Sequence, residues 1–597
     1  MTNEEDPLAV YRARLEDRKK AVDRLRRRDL WCSNARLAVF IAGLGALWLS
    51  VVQGALPLFV LALPLAAFLM LVLAHERILK AQSLAEGAAS YYQQGIDRIE
   101  DRWAGRGRAG QELAPRDHLY AEDLDLFGEG SLFELLCTAR TQSGEGTLAH
   151  WLCAPAAKEE IEARQEAVAE LRSQLDFRET LALLGGSAPA RVRPELLAEW
   201  ATAAPVLTSG PPYSLAIALV ALSVGAFAGW AAELWTLSPF ILIVVAELVY
   251  ARSMKKEVTR VISALDEPMK DLTVFSQVVR HFESAEFETS KLRELQQRLT
   301  AFDMKASVRI AQLARLVTWL DAHRNQMFAP IAFVLLWTVH FAYALERWRE
   351  RCGTKVPDWL EAMGELEALC AVAGYAYEHP GDPFPEIADA ETLYDGRELG
   401  HPLLRDDTCV RNSVRLADEP RMLVVSGSNM SGKSTLLRVV GINAVLALMG
   451  APIRGKSLRI SPLAIGASLH VIDSIQRGTS HFYAEITRMR EILELTREEL
   501  PVLFLVDEIL HGTNSRDRQI GAEAILKGFI QGGGIGLVTT HDLAITNTQD
   551  AFGAKAANVH FVDHLEGDRL VFDYKIHEGV VQRSNALALM RAIGLQV

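Results

Sequence analysis

The sequence predicts an all-α core leading into an α/β domain with an open sheet, together with two apolar helical hairpins long enough to cross a bilayer. Three observations carry this prediction. The chain is uncharged from Leu37 to Ala74. A second apolar pair, 213–232 and 234–251, is broken only by Glu233 and Glu247. Three short apolar runs, 422–426, 502–506 and 535–539, each stop at polar residues. That is the pattern of buried strands delivering functional groups at their carboxyl ends.

Composition sets the bounds. A chain of 597 residues has room for about three or four domains of about 150 residues each. Charged residues make up 23%, close to the ~25% of ordinary globular proteins. A disordered chain and a mostly lipid-embedded one are both excluded. The mean hydropathy of +0.10 therefore places the apolar excess in particular segments. With 75 acidic against 63 basic residues and a net charge of −12, the chain is not one wrapped over most of its surface by nucleic acid. Six cysteines without a CxxC pair point to neither a disulfide framework nor a zinc site, and a reducing compartment is the simpler expectation.

In chain order, residues 1–36 form a basic segment with Arg12, Arg14, Arg18, Lys19, Lys20, Arg24, Arg26, Arg27, Arg28 and Arg36. Interleaved Glu16, Asp17, Asp23 and Asp29 favour a membrane-proximal amphipathic helix over a nucleic-acid arm. The first hairpin occupies 37–74, two runs turning at Gln53-Gly54, each near the ~20 residues that span a bilayer. The second occupies 213–251, with Trp230, Trp235 and Tyr250 near its ends, where aromatic belts form. Glu247 is expected to reach the interface. Arg77 and Lys80 follow the first hairpin, and Arg252, Lys255, Lys256 and Arg260 the second. Positive flanks stay cytoplasmic, so both hairpins dip in and return. The expected location is the cell (inner) membrane, multi-pass, with the remaining chain in the cytoplasm. A third apolar stretch, 329–345, is read as a core helix, with a fifth span as the alternative. Gly-rich 105–110 and Pro/Gly-rich 380–385 read as linkers. Basic residues scattered through 255–325 alternate with acidic ones, as on a solvated helix face.

The strongest signal is Gly427-Ser428-Asn429-Met430-Ser431-Gly432-Lys433-Ser434-Thr435, a full match to G-x-x-x-x-G-K-[ST]. The apolar run 422–426 precedes it and a helical pattern, 435–449, follows. Backbone N–H groups of such a loop approach phosphates, and the helix N-terminus behind it favours negative charge. Lys433 is expected to reach the β/γ-phosphates of ATP and Ser434 to ligand Mg²⁺. Asp507, after the run 502–506, would hold the Mg²⁺ shell, and Glu508 would orient or deprotonate the attacking water. His541, after 535–539 and Thr540, would sense the γ-phosphate.

These motifs resemble the MutS mismatch-repair family. The loop is similar to its G-P-N-M-G-G-K-S-T, with Ser428 and Ser431 as departures. Asp473…Gly478-Thr-Ser480-His-Phe482-Tyr-Ala-Glu485 resembles its signature loop, Asp507-Glu508…Gly512-Thr513-Asn514 its acidic segment, and Thr540-His541 its T-T-H switch. Upstream, 131–168 resembles the start of the family's helical core, and 396–403 the run-in to its ATPase. The resemblance implies an α/β P-loop ATPase domain of the MutS/ABC-like kind over 405–597. It also implies parts of a helical core over 75–212 and 252–404, and a homodimer through the ATPase domains in which Gly478 and Ser480 approach the partner's γ-phosphate. The family's mismatch-reading domain has no counterpart, and 252–325 is too short for its full DNA clamp. Its adenine-stacking aromatic near Asn412 falls on Cys409 or Val410, which implies weaker adenine affinity. The function implied is an ATP-hydrolysing, membrane-anchored protein that dimerises on ATP, with duplex DNA and an unidentified protein as partners. The alternatives are a membrane-remodelling or transport ATPase, or an ATP-gated scaffold, without DNA binding.

Overall fold

The computed structural model describes residues 6–186, 193–207, 211–263, 272–300, 305–389, 392–428, 430–469, 481–510, 515–540, 552–566 and 569–580. Among the described residues, the regular elements up to residue 378 are helices, and the first strand begins at Glu386.

The helices Pro7–Val51 and Ala62–Ile99 form one long antiparallel hairpin. Asp6 caps the first, accepting from the Leu8 N–H at 3.1 Å, and Pro7 occupies the first turn, where its missing N–H costs nothing. The expected turn appears after Val51, with Gly54 at φ +62°. The hairpin is two-natured. At its foot Tyr11, Leu15, Tyr91, Tyr92 and Ile96 are buried, and Gly95 lets the Tyr11 ring approach within 2.4 Å of where a Cβ would stand. Toward its tip Leu44, Phe59, Leu63 and Met70 are exposed. Four of the basic residues near the start pair with acids on neighbouring elements. Arg12 pairs with Glu100 at 2.6 Å, Arg18 with Glu179 at 2.8 Å and Arg26 with Glu86 at 2.9 Å, and Arg14 pairs with Asp176. The segment is helical as expected, and these ion pairs lace part of it to its neighbours.

A second helix pair, Pro211–Ala231 and Ser238–Ser263, turns through Glu233 at φ +59°. Among the described residues, three helical stretches are long and apolar enough to cross a membrane: Pro7–Val51, Leu58–Ile99 and Pro212–Ala231. Ser238–Ser263 falls short because Glu247, Arg252 and Lys255 interrupt its apolar run. Glu247 does not reach outward as expected but is fully buried beside Ser223 of the preceding helix. The stretch 329–345 is also not one core helix. It breaks at Leu335–Leu336, where Leu336 has φ +44°, into Ala329–Val334 and Trp337–Cys352. Ile331 and Phe333 are exposed, whereas Val339, Ala342, Tyr343 and Leu345 are buried. Segment 105–110 is a docked loop: the Gly107 N–H donates to Glu134 at 2.7 Å, and Gly110 lies against Phe133.

The helical core is organised around Val356–Glu378, whose side chains are buried on nearly every face because Gln142–Cys153, Lys158–Ser173 and Ser290–Arg298 surround it. Four strands then form one sheet: β1 (Glu386–Ile387), β2 (Tyr394–Leu399), β3 (Asn412–Leu416) and, later in the chain, β5 (Ser457–Ile460), in the order β1-β5-β2-β3. The second sheet contains β4 (Met422–Ser426), β6 (Ala464–Ser468), β7 (Val502–Val506), β8 (Ile535–Thr540), β9 (Ala556–Glu566) and β10 (Arg569–Glu578), in the order β10-β9-β4-β8-β7-β6. All neighbours are parallel except β9 and β10. The strands β4, β7 and β8 are buried throughout, which explains their unbroken apolar sequence. Helices Lys433–Met449, His481–Leu495 and Ser515–Gln531 cover the sheet.

Candidate functional site

The carboxyl ends of β4, β8 and β7 lie side by side, with Ser426 opposite Thr540 and Val506 opposite Val538. From β4 the chain runs through Gly427 (φ +153°), Met430 (φ +67°) and Gly432 (φ +102°) into the helix starting at Lys433. Lys433 is buried, and its ammonium donates to the carbonyls of Gly427 at 3.1 Å and Ser428 at 2.9 Å. Burial pulls its pKa below the ordinary lysine value, and Asp507 and Glu508 oppose that shift. The loop thus closes around its own lysine, whose charge faces the two carboxylates that follow β7. Ser434 and Thr435 stand exposed in the first helical turn, and Met430 is exposed on the outer side of the loop. The buried hydroxyls of Ser428 and Ser431 have no hydrogen-bond partner among the described residues. In such a cradle these are unspent donors for an anion.

Thr539 of β8 organises the acidic pair. Its hydroxyl donates to the Asp507 carboxylate and accepts from the Glu508 N–H at 2.9 Å. The Asp507 N–H donates to Ser468 O at 2.9 Å, extending the β6–β7 ladder. Glu508 (φ +49°) and Leu510 (φ +54°) turn the chain sharply, and Glu485 accepts from the Leu510 N–H. Helix His481–Leu495 is thereby tied to the loop that carries the acidic pair.

Sequence reasoning missed Thr539 and Tyr574. Tyr574 occupies a bulge of β10 between Phe572 and Ile576, at φ +53°. Its ring lies 3.2 Å from where a Gly432 Cβ would be, at the mouth of the loop and partly exposed. Asn412 holds the bulge, donating to Tyr574 O at 2.9 Å and accepting from the Ile576 N–H at 3.0 Å. An aromatic ring near Asn412 thus comes from β10 rather than from 409–410. An aromatic in a 10-residue strand gives no sequence signal of this placement. The site reaches into the helical core through Asp123, which accepts from the Leu469 N–H at 2.7 Å and from Arg438 through its carbonyl at 3.1 Å. Of the expected site residues, Asn429, Gly478, Ser480 and His541 lie outside the described residues.

Comparison with known proteins decides the family. Residues 423–596 match the family model for MutS domain V, and residues 118–188 that for MutS domain III. The chain belongs to the MutS family. The MutS-family match spans the sheet beyond the start of β4 and the first helices of the core, including Asp123. The chain is 33% identical over 242 residues to an Endonuclease MutS2 of Thermus thermophilus, covering 40% of this chain and 31% of that protein. It is 30% identical over 243 residues to a DNA mismatch repair protein MutS of Thermotoga neapolitana, covering 40% and 29%. It is 30% identical over 244 residues to a DNA mismatch repair protein MSH3 of Phaeosphaeria nodorum, covering 39% and 21%. The matched part of this MutS-family chain therefore spans about a third or less of the length of these relatives.

Proposed function

We propose that this MutS-family chain hydrolyses ATP and pairs with a second copy through its α/β domains when ATP is bound. We further propose that it is anchored in the cell (inner) membrane by hairpins 37–74 and 213–251, with domain 405–597 in the cytoplasm. The observation that carries the ATPase reading is the convergence of the loop 427–432, buried Lys433 and the Thr539-organised pair Asp507–Glu508 at one sheet edge. The groups present suit ATP with Mg²⁺: unspent Ser428 and Ser431 hydroxyls, an exposed Ser434, and an acidic pair facing the lysine. Bound Mg²⁺ supplies charge neutralisation at the β/γ-phosphates. Lys433 would exchange its two carbonyl partners for phosphate oxygens, and Ser434 and Asp507 would hold the metal. Glu508 would orient or deprotonate water, and His541 would respond to the γ-phosphate. Gly478 and Ser480 would come from the partner copy.

The membrane reading is supported by the exposed apolar tip of the first hairpin and by its charged, docked foot. A stretch such as 37–74 leaves no charge to be desolvated in hydrocarbon. The relatives' names attach them to DNA mismatch repair, and we propose a related role here, holding duplex DNA rather than reading mismatches. The second reading is an ATP-driven membrane or scaffold protein without DNA. It is favoured by the ion pairs that occupy Arg12, Arg14, Arg18 and Arg26. ATP hydrolysis by the detergent-solubilised chain, measured with and without duplex DNA over a salt series, separates the two. DNA stimulation that falls steeply with salt supports the first, and salt-insensitive hydrolysis with no DNA effect selects the second.

A further inference from the structure

Between helices Ala306–Asp321 and Trp337–Cys352 lies a cavity of about 220 Å³ into which Arg309, Arg347 and Arg351 converge, with Gln312 beside them and Leu316 and Trp348 among its apolar lining. In sequence Arg309 is one of many scattered bases, and the fold brings the other two to it. The helices are clasped here, since the Trp348 indole N–H donates to Arg309 O at 3.0 Å. Among the described residues none of the three guanidinium groups has a carboxylate within ion-pair distance. Of the two acids on the same helix, Glu346 is taken by Arg349 at 2.6 Å, and Glu350 is not within ion-pair distance of any of the three. The three arginines thus gather unneutralised positive charge in one pocket of a chain whose net charge is −12.

The position of the pocket identifies what it fits. Arg347 lies over the Tyr213 ring at 5.2 Å and approaches its hydroxyl at 3.4 Å. Tyr213 opens the apolar helix of the second hairpin and packs on Tyr343 at 4.6 Å, while Tyr250 closes that hairpin by donating to Pro212 O at 2.7 Å. The arginines therefore lie one to two helical turns beyond the tyrosines that mark the hairpin's foot. On the other side of those tyrosines, the same two helices lead to the stacked rings of Trp319 and Trp337 and to exposed Met327 and Ile331. Tyrosines and tryptophans favour the interface, and arginine forks match phosphate oxygens bidentately.

We propose that this pocket binds the phosphodiester headgroup of an anionic phospholipid of the cytoplasmic leaflet, an assignment that rests on the membrane anchorage proposed above. A cavity of about 220 Å³ holds a headgroup, and Leu316 and Trp348 give it an apolar side. Duplex DNA, whose phosphates run as an extended line, calls for a basic stripe rather than one compact cluster of arginines.

The test uses the purified full chain in detergent and native mass spectrometry, with phosphatidylglycerol, phosphatidylcholine, inorganic phosphate and a DNA duplex as probes. The wild type is expected to retain phosphatidylglycerol about tenfold or more over phosphatidylcholine. Arg309→Gln with Arg351→Gln should abolish that preference, and Arg309→Lys with Arg351→Lys, which keeps both charges, should restore part of it. Arg347 is left in place because it also packs on Tyr213. Inorganic phosphate should fail to displace the lipid, since it lacks the acyl chains. Undiminished preference in the Gln pair, displacement by free phosphate, or duplex binding lost with the same arginines would overturn the assignment. Alkaline carbonate extraction of membranes tells the two failures apart. Release of the chain refutes the anchorage itself, whereas an integral chain without lipid preference refutes the pocket alone.

Discussion

Arg98 grips both carboxylate oxygens of Glu378, at 2.7 and 2.6 Å, across 280 residues of sequence. This ion pair fastens the foot of the first hairpin to the end of the central core helix. From there Tyr375 donates to Asp382 at 3.2 Å, Asp382 pairs with Arg454 at 3.3 Å, and the Arg454 N–H donates to Asn443 at 2.8 Å on the helix that follows the phosphate-type loop. A contiguous set of polar contacts thus joins the hairpin to the candidate site.

Breaking this pair exposes its energetic role. Both side chains are largely buried, so Glu378→Gln leaves Arg98 without its counter-charge and is expected to cost about 3–5 kcal/mol. Replacing both, Arg98→Met with Glu378→Leu, should recover much of that loss. Thermal unfolding of the solubilised chain followed by tryptophan fluorescence measures each variant. Equal stability of Glu378→Gln and wild type would show that the pair does not fasten the hairpin.

Thr539 joins Asp507 and Glu508, so Thr539→Val should misplace both. Loss of a buried hydrogen bond of this kind is worth about 1–3 kcal/mol, and ATP turnover is expected to fall at least about tenfold. Glu508→Gln keeps the shape and removes the base. That variant should bind ATP without turnover and accumulate as a dimer in light scattering, and a monomer under saturating ATP would count against pairing through these domains.

Tyr574 stands at the loop mouth with its ring partly exposed. Tyr574→Ala is expected to weaken ATP binding roughly two- to tenfold, the range of one aromatic contact, while leaving turnover at saturation nearly unchanged. Nucleotide titration by fluorescence alongside steady-state rates checks the split.

His401 makes stability pH-dependent. Burial, with help from Arg438, pulls its pKa down to about 4, against about 6.5 in an unfolded chain. Between these values the unfolded state takes up the proton and the folded state does not. Stability from this group is full above pH ~6.5 and declines as pH falls toward ~4, by up to about 3 kcal/mol. His118 and His281 are shifted in the same direction by burial. His401→Asn, which can still accept from the Leu403 N–H as His401 does at 3.3 Å, should flatten the acid side of a melting-temperature profile. An unchanged slope would assign the dependence elsewhere.

Local chemistry was legible in the sequence, and long-range pairing was not. Gly427, Gly432, Lys433 and Ser434 are readable because a loop, its strand and its helix are contiguous, and Asp507–Glu508 because an apolar run must stop where a strand leaves the core. Tyr574 could not be read, since its place depends on a bulge pinned by Asn412, 162 residues earlier. Arg98 and Glu378 gave no sign of each other. The break at Leu336 escaped because no glycine marks it; the left-handed residue is a leucine held by burial. The pairing of Arg26, Arg12 and Arg18 could not be read either, because their partners Glu86, Glu100 and Glu179 lie far along the chain.

The most direct measurement is ATP hydrolysis by the purified full chain beside its Lys433→Ala variant, with folding of both verified by thermal melts. Magnesium-dependent turnover in the wild type, and its loss in a folded Lys433→Ala chain, is the predicted result. No turnover in the wild type, or equal turnover in both, would contradict an ATPase site built on this loop.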